Sequence, residues 1–243
     1  MTTSEPIELV LPAHNEGDGI GVTIREFYRA ASEDGIPVTF VVCEDGSIDN
    51  TCAVVQDAAR EIPIRLLSFT ERKGYSRAVV DGFRSTSAAV VGFIDSDGQY
   101  DPRDFKSLVA ALENFDLVIG YRNPRVDSIF RKIISGAFGA VYRRVFPVRV
   151  KDPSCPYLVV RRQALIEILR GNPGILRQGF WWEFNARAQA AGLRIGELPV
   201  THRARTAGTT QVYKLNKIPG IATEHLRGLL TLRTELRRLR NSV

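Results

Sequence analysis

The feature that most constrains the fold is a regular alternation, over the first 120 residues, between short β-branched apolar runs and segments of helical periodicity. The runs predict strands at residues 7–11, 38–43, 64–69, 89–94 and 117–119. The segments between them predict helices at residues 20–31, 51–60, 76–85 and 104–113. This rhythm indicates βαβ units, and therefore an α/β, doubly wound and mostly parallel central sheet with helices on both faces. Ligands of such sheets bind at the carboxyl ends of the strands.

The rhythm changes after residue 120. Helical patterns cover residues 129–146, 182–191 and 218–240, and a further helical segment begins near residue 163. Extended runs cover residues 157–160 and 195–200. Loops cover residues 151–156 and 202–210. In the last helix leucines oppose arginines, which predicts a C-terminal basic amphipathic helix. Such a helix can lie on an anionic membrane surface or pack on its own domain with the arginines in solvent. The chain contains no repeat and no linker, so we expect a single domain.

Charge is distributed unevenly along the chain. Residues 1–120 contain 10 Lys and Arg against 20 Asp and Glu, whereas residues 121–243 contain 23 against 7, for a net charge of +6. This asymmetry predicts a cation site in the acidic half and a site for an anion or an anionic surface in the basic half. We expect no nucleic-acid partner, because the basic half has no recognisable nucleic-acid-binding module and no interleaved aromatic residues.

The cysteines and the apolar runs constrain the compartment. Cys43, Cys52 and Cys155 show no paired spacing, so we expect reduced thiols and no disulfides. No apolar run approaches the roughly 18–20 residues that a membrane span needs, and the N-terminus has no signal-peptide pattern. We therefore expect a cytoplasmic protein that does not cross a membrane by itself.

Two carboxylates follow the predicted strand at residues 89–94. Asp95 and Asp97 are spaced i and i+2 in a loop, and Gln99 follows two residues later. Side chains in this arrangement can converge on a hard divalent cation, Mg²⁺ or Mn²⁺, and on the phosphates that it bridges. The alternative is a solvated turn, because Asp, Ser and Gly are common turn formers.

Polar residues also follow the first two predicted strands. Glu44 and Asp45 end the second strand, where carboxylates can bind a nucleotide base or ribose, although Asp49 or Asn50 would also cap the next helix. The first strand runs into a polar loop. The glycines after this loop do not form a dinucleotide-binding motif, because Val22 stands where that motif needs glycine.

Taken together, the chain resembles glycosyltransferase family 2, which has the GT-A fold, in three motifs: P-A-H-N-E at residues 12–16, E-D-G-S-I-D at 44–49 and D-S-D at 95–97. It is also similar to the dolichol-phosphate mannose synthases and related polyprenyl-phosphate glycosyltransferases of that family. The motifs are R-K-G-Y-S-R-A at 72–78, I-G-Y-R at 119–122, F-R-K-I-I-S at 130–135, G-E-L-P-V at 196–200 and L-R-G-L-L at 226–230. The resemblance covers residues 7–232.

The resemblance implies a role for each matching residue. The nucleotide-sugar pocket would be lined by Pro12, Ala13, Glu16, Asp45, Lys73, Asp95 and Ser96. The divalent metal would be held by Asp95, Asp97 and Gln99. The catalytic set would comprise the acidic residues Asp97, Asp152 and Glu183 and the arginines around the acceptor phosphate, Arg122, Arg131 and Arg205.

The resemblance further implies a metal-dependent, inverting enzyme that moves a hexose from GDP-mannose or a UDP-hexose to a polyprenyl phosphate, peripherally at the cytosolic membrane face. Such an acceptor is already anionic, so it needs positioning by arginines rather than a strong base. Within one GT-A domain, residues 1–120 would bind nucleotide sugar and metal, 121–213 the acceptor, and 214–243 would form the amphipathic helix. The intact D-x-D-x-Q argues against a catalytically silent binding module.

The chain departs from the mannose synthases on the acceptor side. It has D-P-S-C-P-Y at 152–157 where they carry T-S-G-F after the acidic residue, and G-T-T-Q at 208–211 where they carry G-x-S-K. Trp181 and Trp182 add aromatic bulk that could stack on a sugar or a flat acceptor. These departures keep an alternative open, in which the same donor chemistry serves a soluble or carrier-bound acceptor, as in secondary-metabolite assembly. Asp152 or Glu183 would then act as the general base.

Overall fold

The structure, a computed structural model, describes residues 5–124, 129–176, 179–204 and 218–241. Its strands are β1 (Ile7–Ala13), β2 (Val38–Asp45), β3 (Ile64–Phe69), β4 (Val90–Phe93), β5 (Leu117–Arg122), β6 (Leu158–Arg161) and β7 (Ile195–Val200). Its helices are α1 (Ile20–Glu33), α2 (Thr51–Ala58), α3 (Tyr75–Ser85), α4 (Phe105–Ala111), α5 (Ile129–Val145), α6 (Arg162–Ile168), α7 (Phe180–Ala190) and α8 (Ile218–Asn241). A turn of 3₁₀ helix, Pro102–Asp104, precedes α4.

The described strands form one seven-stranded sheet in the order β3-β2-β1-β4-β6-β5-β7. Strand β6 runs antiparallel to both of its neighbours, and the other pairings are parallel. Every residue of β1 is buried, as expected for a central strand that is covered on both faces. This confirms the predicted α/β architecture with a mostly parallel sheet.

The bounds of several elements differ from the predicted ones by one to three residues, and two of these differences have local reasons. The predicted helix 104–113 is shorter, because Pro102 opens the 3₁₀ turn, where the Asp101 carboxylate accepts a hydrogen bond from the Arg103 backbone N–H at 3.0 Å. Helix α7 begins earlier than predicted, at Phe180. Both Phe180 and Trp181 are buried, so the first turn of α7 shows no alternation between apolar and polar residues from which its start could be predicted.

The carboxyl ends of β1, β2 and β4 lie side by side. Their parallel pairing places Ala13 beside Glu44, and Val10 beside Phe93. The loops after these three strands therefore open onto the same edge of the sheet, where ligands of α/β sheets bind. Helix α3 packs closely beneath this edge at Gly82, where an added Cβ would lie 2.7 Å from Val10 Cγ1.

Helix α8 packs against the described chain through part of its apolar surface. Leu229 and Leu232 are buried, and a Cβ added at Gly228 would lie 2.5 Å from Leu176 Cδ2. Leu226 on the same helix remains 51% exposed. Of the two surroundings predicted for this helix, packing on its own domain is present on the side of Leu229 and Leu232, and contact with a membrane surface stays a prediction. No helix in the described ranges is long and apolar enough to cross a membrane.

The three cysteines are free thiols. Cys43 and Cys155 are buried, and Cys52 is half-buried. Burial raises the pKa of Cys43 to about 12 and that of Cys155 to about 12. Buried thiols of this kind pack as small apolar residues.

Candidate active site

Two half-buried carboxylates stand in the loop that follows β4. Asp95 Oδ1 accepts a hydrogen bond from the Tyr75 hydroxyl at 2.8 Å, and Asp97 Oδ1 accepts one from the Gln99 backbone N–H at 3.2 Å. Burial and then the charge of Asp97 raise the pKa of Asp95 to about 7, and the charge of Glu16 adds to this. Within the described residues neither aspartate forms a salt bridge. The loop therefore concentrates negative charge at the edge of the sheet.

The donor set of this loop suits a hard divalent cation. Asp95, Asp97 and Gln99 offer carboxylate and amide oxygens, which Mg²⁺ and Mn²⁺ prefer. Gln99 Nε2 donates to the Arg203 carbonyl oxygen at 3.2 Å, so the Oε1 of the same amide is the atom suited to a cation. Among the residues that the structure describes, no group of three or more His, Cys, Asp and Glu side chains is arranged to hold a metal. A cation here would therefore take further ligands from Gln99 and from substrate phosphates.

Several residues predicted to line the nucleotide pocket lie at the same edge. Pro12 and Ala13 are buried at the end of β1. Glu16 follows in the next loop, close enough to the aspartates to raise a pKa there. Ser96 is buried between the two aspartates, and its carbonyl oxygen accepts a hydrogen bond from the Thr23 hydroxyl of α1 at 3.1 Å. The structure thus brings these residues together around the aspartate loop.

Asp45 is buried and fixes the turn that leads into α3. Its two carboxylate oxygens accept hydrogen bonds from the backbone N–H groups of Lys73 at 2.6 Å and of Gly74 at 2.8 Å. The Lys73 ammonium lies 2.9 Å from Asp81 Oδ2 and 3.4 Å from the centroid of the Phe69 ring. The predicted contribution of Asp45 to the pocket is thus accompanied by a structural one: it sets the position of Lys73.

Glu44, which the sequence offered beside Asp45 but which the family resemblance did not place in the pocket, is a second buried carboxylate at the end of β2. It accepts a hydrogen bond from the backbone N–H of Ser47, and its Oε2 accepts one from the Ser68 hydroxyl at 2.8 Å. Both bonds fix loops at the strand ends. The sequence signal for it was its place in the E-D-G-S motif.

Tyr75 is a further residue of this edge that was not predicted as a site residue, and it is joined there by Trp181, for which only a stacking role was expected. Trp181 and Trp182 are buried in α7, which corrects the expectation that they stack on a sugar or an acceptor. The Trp181 ring packs on Phe93, with the ring centroids 4.4 Å apart, and its Nε1 donates to the Tyr75 hydroxyl at 2.9 Å. The sequence signal for Tyr75 is its place in R-K-G-Y at the start of a helix that faces the strand ends.

On the side predicted to bind the acceptor, Arg122 and Asp152 form a nearly buried ion pair. Arg122 Nε donates to Asp152 Oδ2 at 2.7 Å, and Arg122 Nη2 donates to Asp152 Oδ1 at 2.9 Å and to the Ser154 hydroxyl oxygen at 2.7 Å. Burial alone would lower the pKa of Arg122, but the hydrogen bonds with Asp152 raise it above its ordinary value. The charge of Arg122 opposes part of the rise in the pKa of Asp95. This guanidinium therefore lies within electrostatic reach of the aspartate loop.

Glu183 is completely buried in the first turn of α7. Its Oε1 accepts hydrogen bonds from Gly174 N at 3.0 Å and from Arg187 Nε at 2.7 Å, and its Oε2 accepts one from Leu176 N at 2.8 Å. Arg187 also donates to Glu235 Oε1 of α8 at 3.0 Å. These contacts join α7, α8 and the segment before α7, so the geometry favours a structural role over the predicted catalytic one.

Two predicted acceptor ligands fall outside this description. Arg205 lies outside the described residues. Arg131 is part of α5, but its side chain lies outside the described part of the chain as well. Their phosphate-binding roles stay predictions from the family resemblance.

Comparison with known families identifies the class of the fold and of the site. The chain belongs to glycosyl transferase family 2, whose family model matches residues 8–169. This confirms the resemblance drawn from the motifs and the expectation of a glycosyltransferase. The match includes the loops after β1, β2 and β4 and the acceptor-side pair of Arg122 and Asp152.

Characterised relatives cover most of the chain at low identity. Dodecaprenyl-phosphate galacturonate synthase of Rhizobium johnstonii is 27% identical over 86% of this chain and 64% of its own length. Undecaprenyl-phosphate 4-deoxy-4-formamido-L-arabinose transferase of Pectobacterium atrosepticum is 26% identical over 93% of this chain and 68% of its own length. The chain thus spans about two thirds of the length of these relatives.

Solved structures confirm the GT-A fold. Glucosyl-3-phosphoglycerate synthase from Mycobacterium tuberculosis, in complex with Mg²⁺ and UDP, superposes with a TM-score of 0.69 at 20% identity, over 96% of this chain and 81% of that one. Mannosyl-3-phosphoglycerate synthase from Rubrobacter xylanophilus superposes with a TM-score of 0.63 at 14% identity, over 98% of this chain and 74% of that one.

Proposed function

We propose that the protein is a metal-dependent, inverting glycosyltransferase that moves a hexose from GDP-mannose or a UDP-hexose to a polyprenyl phosphate at the cytosolic face of a membrane. The observation that carries this proposal is the half-buried pair of Asp95 and Asp97 at the carboxyl end of β4. Structural neighbours that share the fold hold Mg²⁺ or Mn²⁺ together with UDP, which supports the same use of this edge here.

The proposed reaction follows from the charges at this edge. An oxygen of the acceptor phosphate forms a bond to the anomeric carbon, the bond from that carbon to the nucleoside diphosphate breaks, and the diphosphate leaves with the bonding electrons. A divalent cation held by Asp95, Asp97 and Gln99 would neutralise charge on the departing diphosphate. The attacking oxygen is already anionic, so the reaction needs positioned cationic groups rather than a general base.

The acceptor class is supported by the relatives and by Arg122. Both relatives named above carry a polyprenyl phosphate in their names, with different sugars. In this chain the Arg122 guanidinium is held in place by Asp152 and Ser154 within reach of the aspartate loop. We assign to Asp152 the task of orienting Arg122, and to Arg122, Arg131 and Arg205 the binding of the acceptor phosphate.

Helix α8 supports a peripheral membrane location. Leu226 and Leu230 are one helical turn apart and are 51% and 60% exposed. Arg227, Arg233 and Arg237 are exposed on the same helix. Exposed leucines beside arginines are typical of a helix that lies at an anionic membrane surface. This location would place the enzyme where a polyprenyl phosphate is embedded.

A transfer assay with the purified chain tests the proposed reaction. Mn²⁺ or Mg²⁺ is added with GDP-mannose, UDP-glucose or UDP-N-acetylglucosamine in turn, with and without a short polyprenyl phosphate, and donor hydrolysis is subtracted. We expect sugar to enter the lipid fraction with one donor, to be lost with EDTA and to return with excess Mn²⁺.

The other outcomes of this assay separate the alternatives. Metal-dependent binding of the donor with transfer only to a water-soluble acceptor would replace the polyprenyl phosphate by the soluble or carrier-bound class. Transfer to lipid that persists in EDTA would remove the metal from the mechanism. Absence of both donor binding and transfer would contradict the proposal as a whole.

Vesicle flotation tests the membrane location. The double variant Leu226→Glu/Leu230→Glu should bind anionic vesicles at least about 10-fold more weakly than the unmodified chain, since burying two leucine side chains contributes on the order of 2 kcal/mol or more. Val22→Glu on α1, where Val22 is 67% exposed, is the matched control and should bind normally. Equal binding of all three proteins would contradict the role of α8.

A further inference from the structure

The Tyr75 hydroxyl lies between the candidate cation site and a buried tryptophan. It donates to Asp95 Oδ1 at 2.8 Å and accepts from Trp181 Nε1 at 2.9 Å. An indole N–H can only donate, so the Tyr75 oxygen accepts this bond and its single proton is directed at Asp95. The two bonds therefore form a chain with one direction, from α7 through α3 to the loop after β4.

The two aromatic residues of this chain are held by their surroundings, although Tyr75 keeps 40% of its surface exposed. Trp181 is 6% exposed, and its ring is held against Phe93 of β4. Tyr75 is the first residue of α3, and the preceding Gly74 has a φ of 92°, in the left-handed region that favours glycine. The Gly74 N–H is bonded to Asp45, so the start of α3 is tied to the end of β2. The tyrosine hydroxyl is thus presented to Asp95 from a fixed position.

The bond from Tyr75 is, among the described residues, the only hydrogen bond that the Asp95 carboxylate makes. A hydrogen bond from a positioned hydroxyl restricts the rotation of a carboxylate and thereby favours one direction for its second oxygen, Oδ2. Groups that bond a metal ligand from behind in this way orient it and tune its affinity.

We propose that Tyr75 and Trp181 are positioning residues for the divalent cation: Trp181 orients the Tyr75 hydroxyl, and Tyr75 orients the Asp95 carboxylate toward the ion. This inference rests on the proposed function, because it takes Asp95 as a cation ligand. It adds a link between α7, which lies on the acceptor side, and the donor-side loop. Neither aromatic residue touches the cation in this arrangement.

A purely structural role of the two aromatic residues leads to a different expectation. Trp181 belongs to an aromatic cluster with Phe93 and Phe184, so its replacement costs stability whatever its N–H does. If Trp181 acts on the cation through Tyr75, however, Trp181→Phe weakens cation binding only while the Tyr75 hydroxyl is present. A double-mutant cycle separates the two roles, because coupled residues are non-additive.

The test is the dissociation constant of Mn²⁺, measured by electron paramagnetic resonance with the purified chain and saturating UDP or, in a parallel series, GDP. We expect Tyr75→Phe to weaken Mn²⁺ binding about 10-fold, the lower end of the effect of removing a group that orients a metal ligand. Trp181→Phe should weaken it by a smaller factor, about 3-fold. The double variant should bind Mn²⁺ as Tyr75→Phe does.

Two control variants remove similar groups elsewhere. Tyr142→Phe deletes a buried hydroxyl that donates to the Trp182 carbonyl oxygen at 2.7 Å. Trp182→Phe shortens an indole that is 8% exposed and packs on Phe138 and Tyr142. Both should lower the free energy of unfolding and leave the Mn²⁺ dissociation constant within about 2-fold of the unmodified chain.

Three results would overturn the inference. Unchanged Mn²⁺ affinity in Tyr75→Phe, with normal binding by the unmodified chain, removes it and leaves the proposed function intact. Additive losses in the double variant remove the path from Trp181 through Tyr75. If the unmodified chain binds no Mn²⁺ with either nucleotide and EDTA does not affect transfer, the metal site of the proposed function fails, and this inference fails with it.

Discussion

Carboxylates on the two sides of the candidate site have opposite electrostatic surroundings. On the donor side, Asp95 and Asp97 are half-buried beside each other, and burial together with their repulsion raises the pKa of Asp95 to about 7. On the acceptor side, Asp152 and Glu183 are buried, and each accepts a hydrogen bond from an arginine Nε at 2.7 Å. The carboxylates of the first pair therefore repel each other, whereas each carboxylate on the other side is paired with an arginine.

This difference in electrostatic surroundings distinguishes carboxylates that are suited to binding a ligand from carboxylates that stabilise the fold. A buried charge is tolerated where an opposite charge meets it, and breaking such a pair is costly because it leaves the partner uncompensated. Two like charges held together gain instead from an added cation. We therefore expect substitutions on the donor side to remove activity at little cost in stability, and those on the acceptor side to reduce stability first.

The largest effect is expected for Asp97→Asn. Transfer should fall about 10³-fold, because under the proposed function the substitution removes a carboxylate from the cation site, where leaving-group charge would be stabilised. The free energy of unfolding should stay unchanged or rise, since the repulsion with Asp95 disappears. The measurements are kcat/KM at saturating Mn²⁺ and a urea unfolding curve.

Asp57→Asn is the matched control for this prediction, because the Asp57 carboxylate is 60% exposed in an ion pair with Arg25. It should keep normal transfer. If Asp97→Asn retained transfer, or lost it together with several kcal/mol of stability, the assignment of the donor-side pair to a ligand would be wrong.

On the acceptor side, Glu183→Gln should act through stability. The amide cannot accept all the bonds that Gly174, Leu176 and Arg187 donate, and the buried arginine keeps only Glu235 as a counter-charge, so the cost should approach the roughly 3–5 kcal/mol of breaking a buried pair. Urea unfolding of the variant and of Glu167→Gln, an exposed control, measures this loss. Turnover of the folded fraction should stay within a few-fold. A large loss of turnover at unchanged stability would instead assign Glu183 to the reaction.

The fold could be predicted where local periodicity is strong. The predicted strand at 38–43 corresponds to β2, because a β-branched run bounded by polar loops is characteristic of a buried strand. The predicted strand at 64–69 corresponds to β3, a half-buried strand at the edge of the sheet. The start of α7 could not be placed, because nearly every residue of its first turns is buried and no apolar stripe stands out against a polar one. The position of β6 between β4 and β5 depends on tertiary packing that no local pattern encodes.

The sequence indicated which residue types the candidate site contains, but not which of these side chains bond to one another. Asp95 and Asp97 are two residues apart, so their proximity follows from the chain itself. The bonds of Arg122 with Asp152 join residues 30 positions apart, and that of Tyr75 with Trp181 joins residues 106 positions apart. Such pairs depend on which strands and helices become neighbours, so the sequence analysis assigned separate roles to Arg122 and Asp152 and assigned no role to Tyr75.

A smaller effect is expected for Arg122→Lys, which keeps the charge but loses the planar fork. Lysine cannot make both bonds to Asp152, so the positive charge is no longer held in place and the acceptor phosphate would lose a positioned cationic group. We expect the KM for the acceptor to rise about 10-fold while the KM for the donor changes less than about 2-fold. Steady-state kinetics with each substrate varied in turn measures the split.

Arg194→Lys is the control for this substitution, because Arg194 makes the same two-pronged contact with Asp116 on an exposed surface. Its kinetics should equal those of the unmodified chain. A rise in the donor KM in Arg122→Lys, with no change in the acceptor KM, would place Arg122 on the donor side and contradict the division drawn above.

The smallest effect concerns Asp101, a matched carboxylate beside the candidate site. Its oxygens accept hydrogen bonds from Arg103, and Arg203 lies 2.8 Å away. The bonds with Arg103 and then with Arg203 lower the pKa of Asp101 well below its ordinary value. A carboxyl group with a lower pKa in the folded than in the unfolded state stabilises the protein above the unfolded pKa of about 4. This contribution is lost as the pH falls from about 5 toward the folded pKa.

Asp101→Asn should therefore lower the free energy of unfolding at pH 7 by about 1 kcal/mol and make its decline between about pH 5 and pH 2.5 shallower. Urea unfolding at several pH values measures both. Asp34→Asn is the control, because Asp34 forms an ion pair with a lysine that is 63% exposed, and screening by solvent leaves such pairs little effect on stability. If Asp101→Asn declined in parallel with the unmodified chain, its arginine contacts would not stabilise the charged carboxylate. The contrast between matched and unmatched carboxylates would then hold only for the buried pairs on the acceptor side.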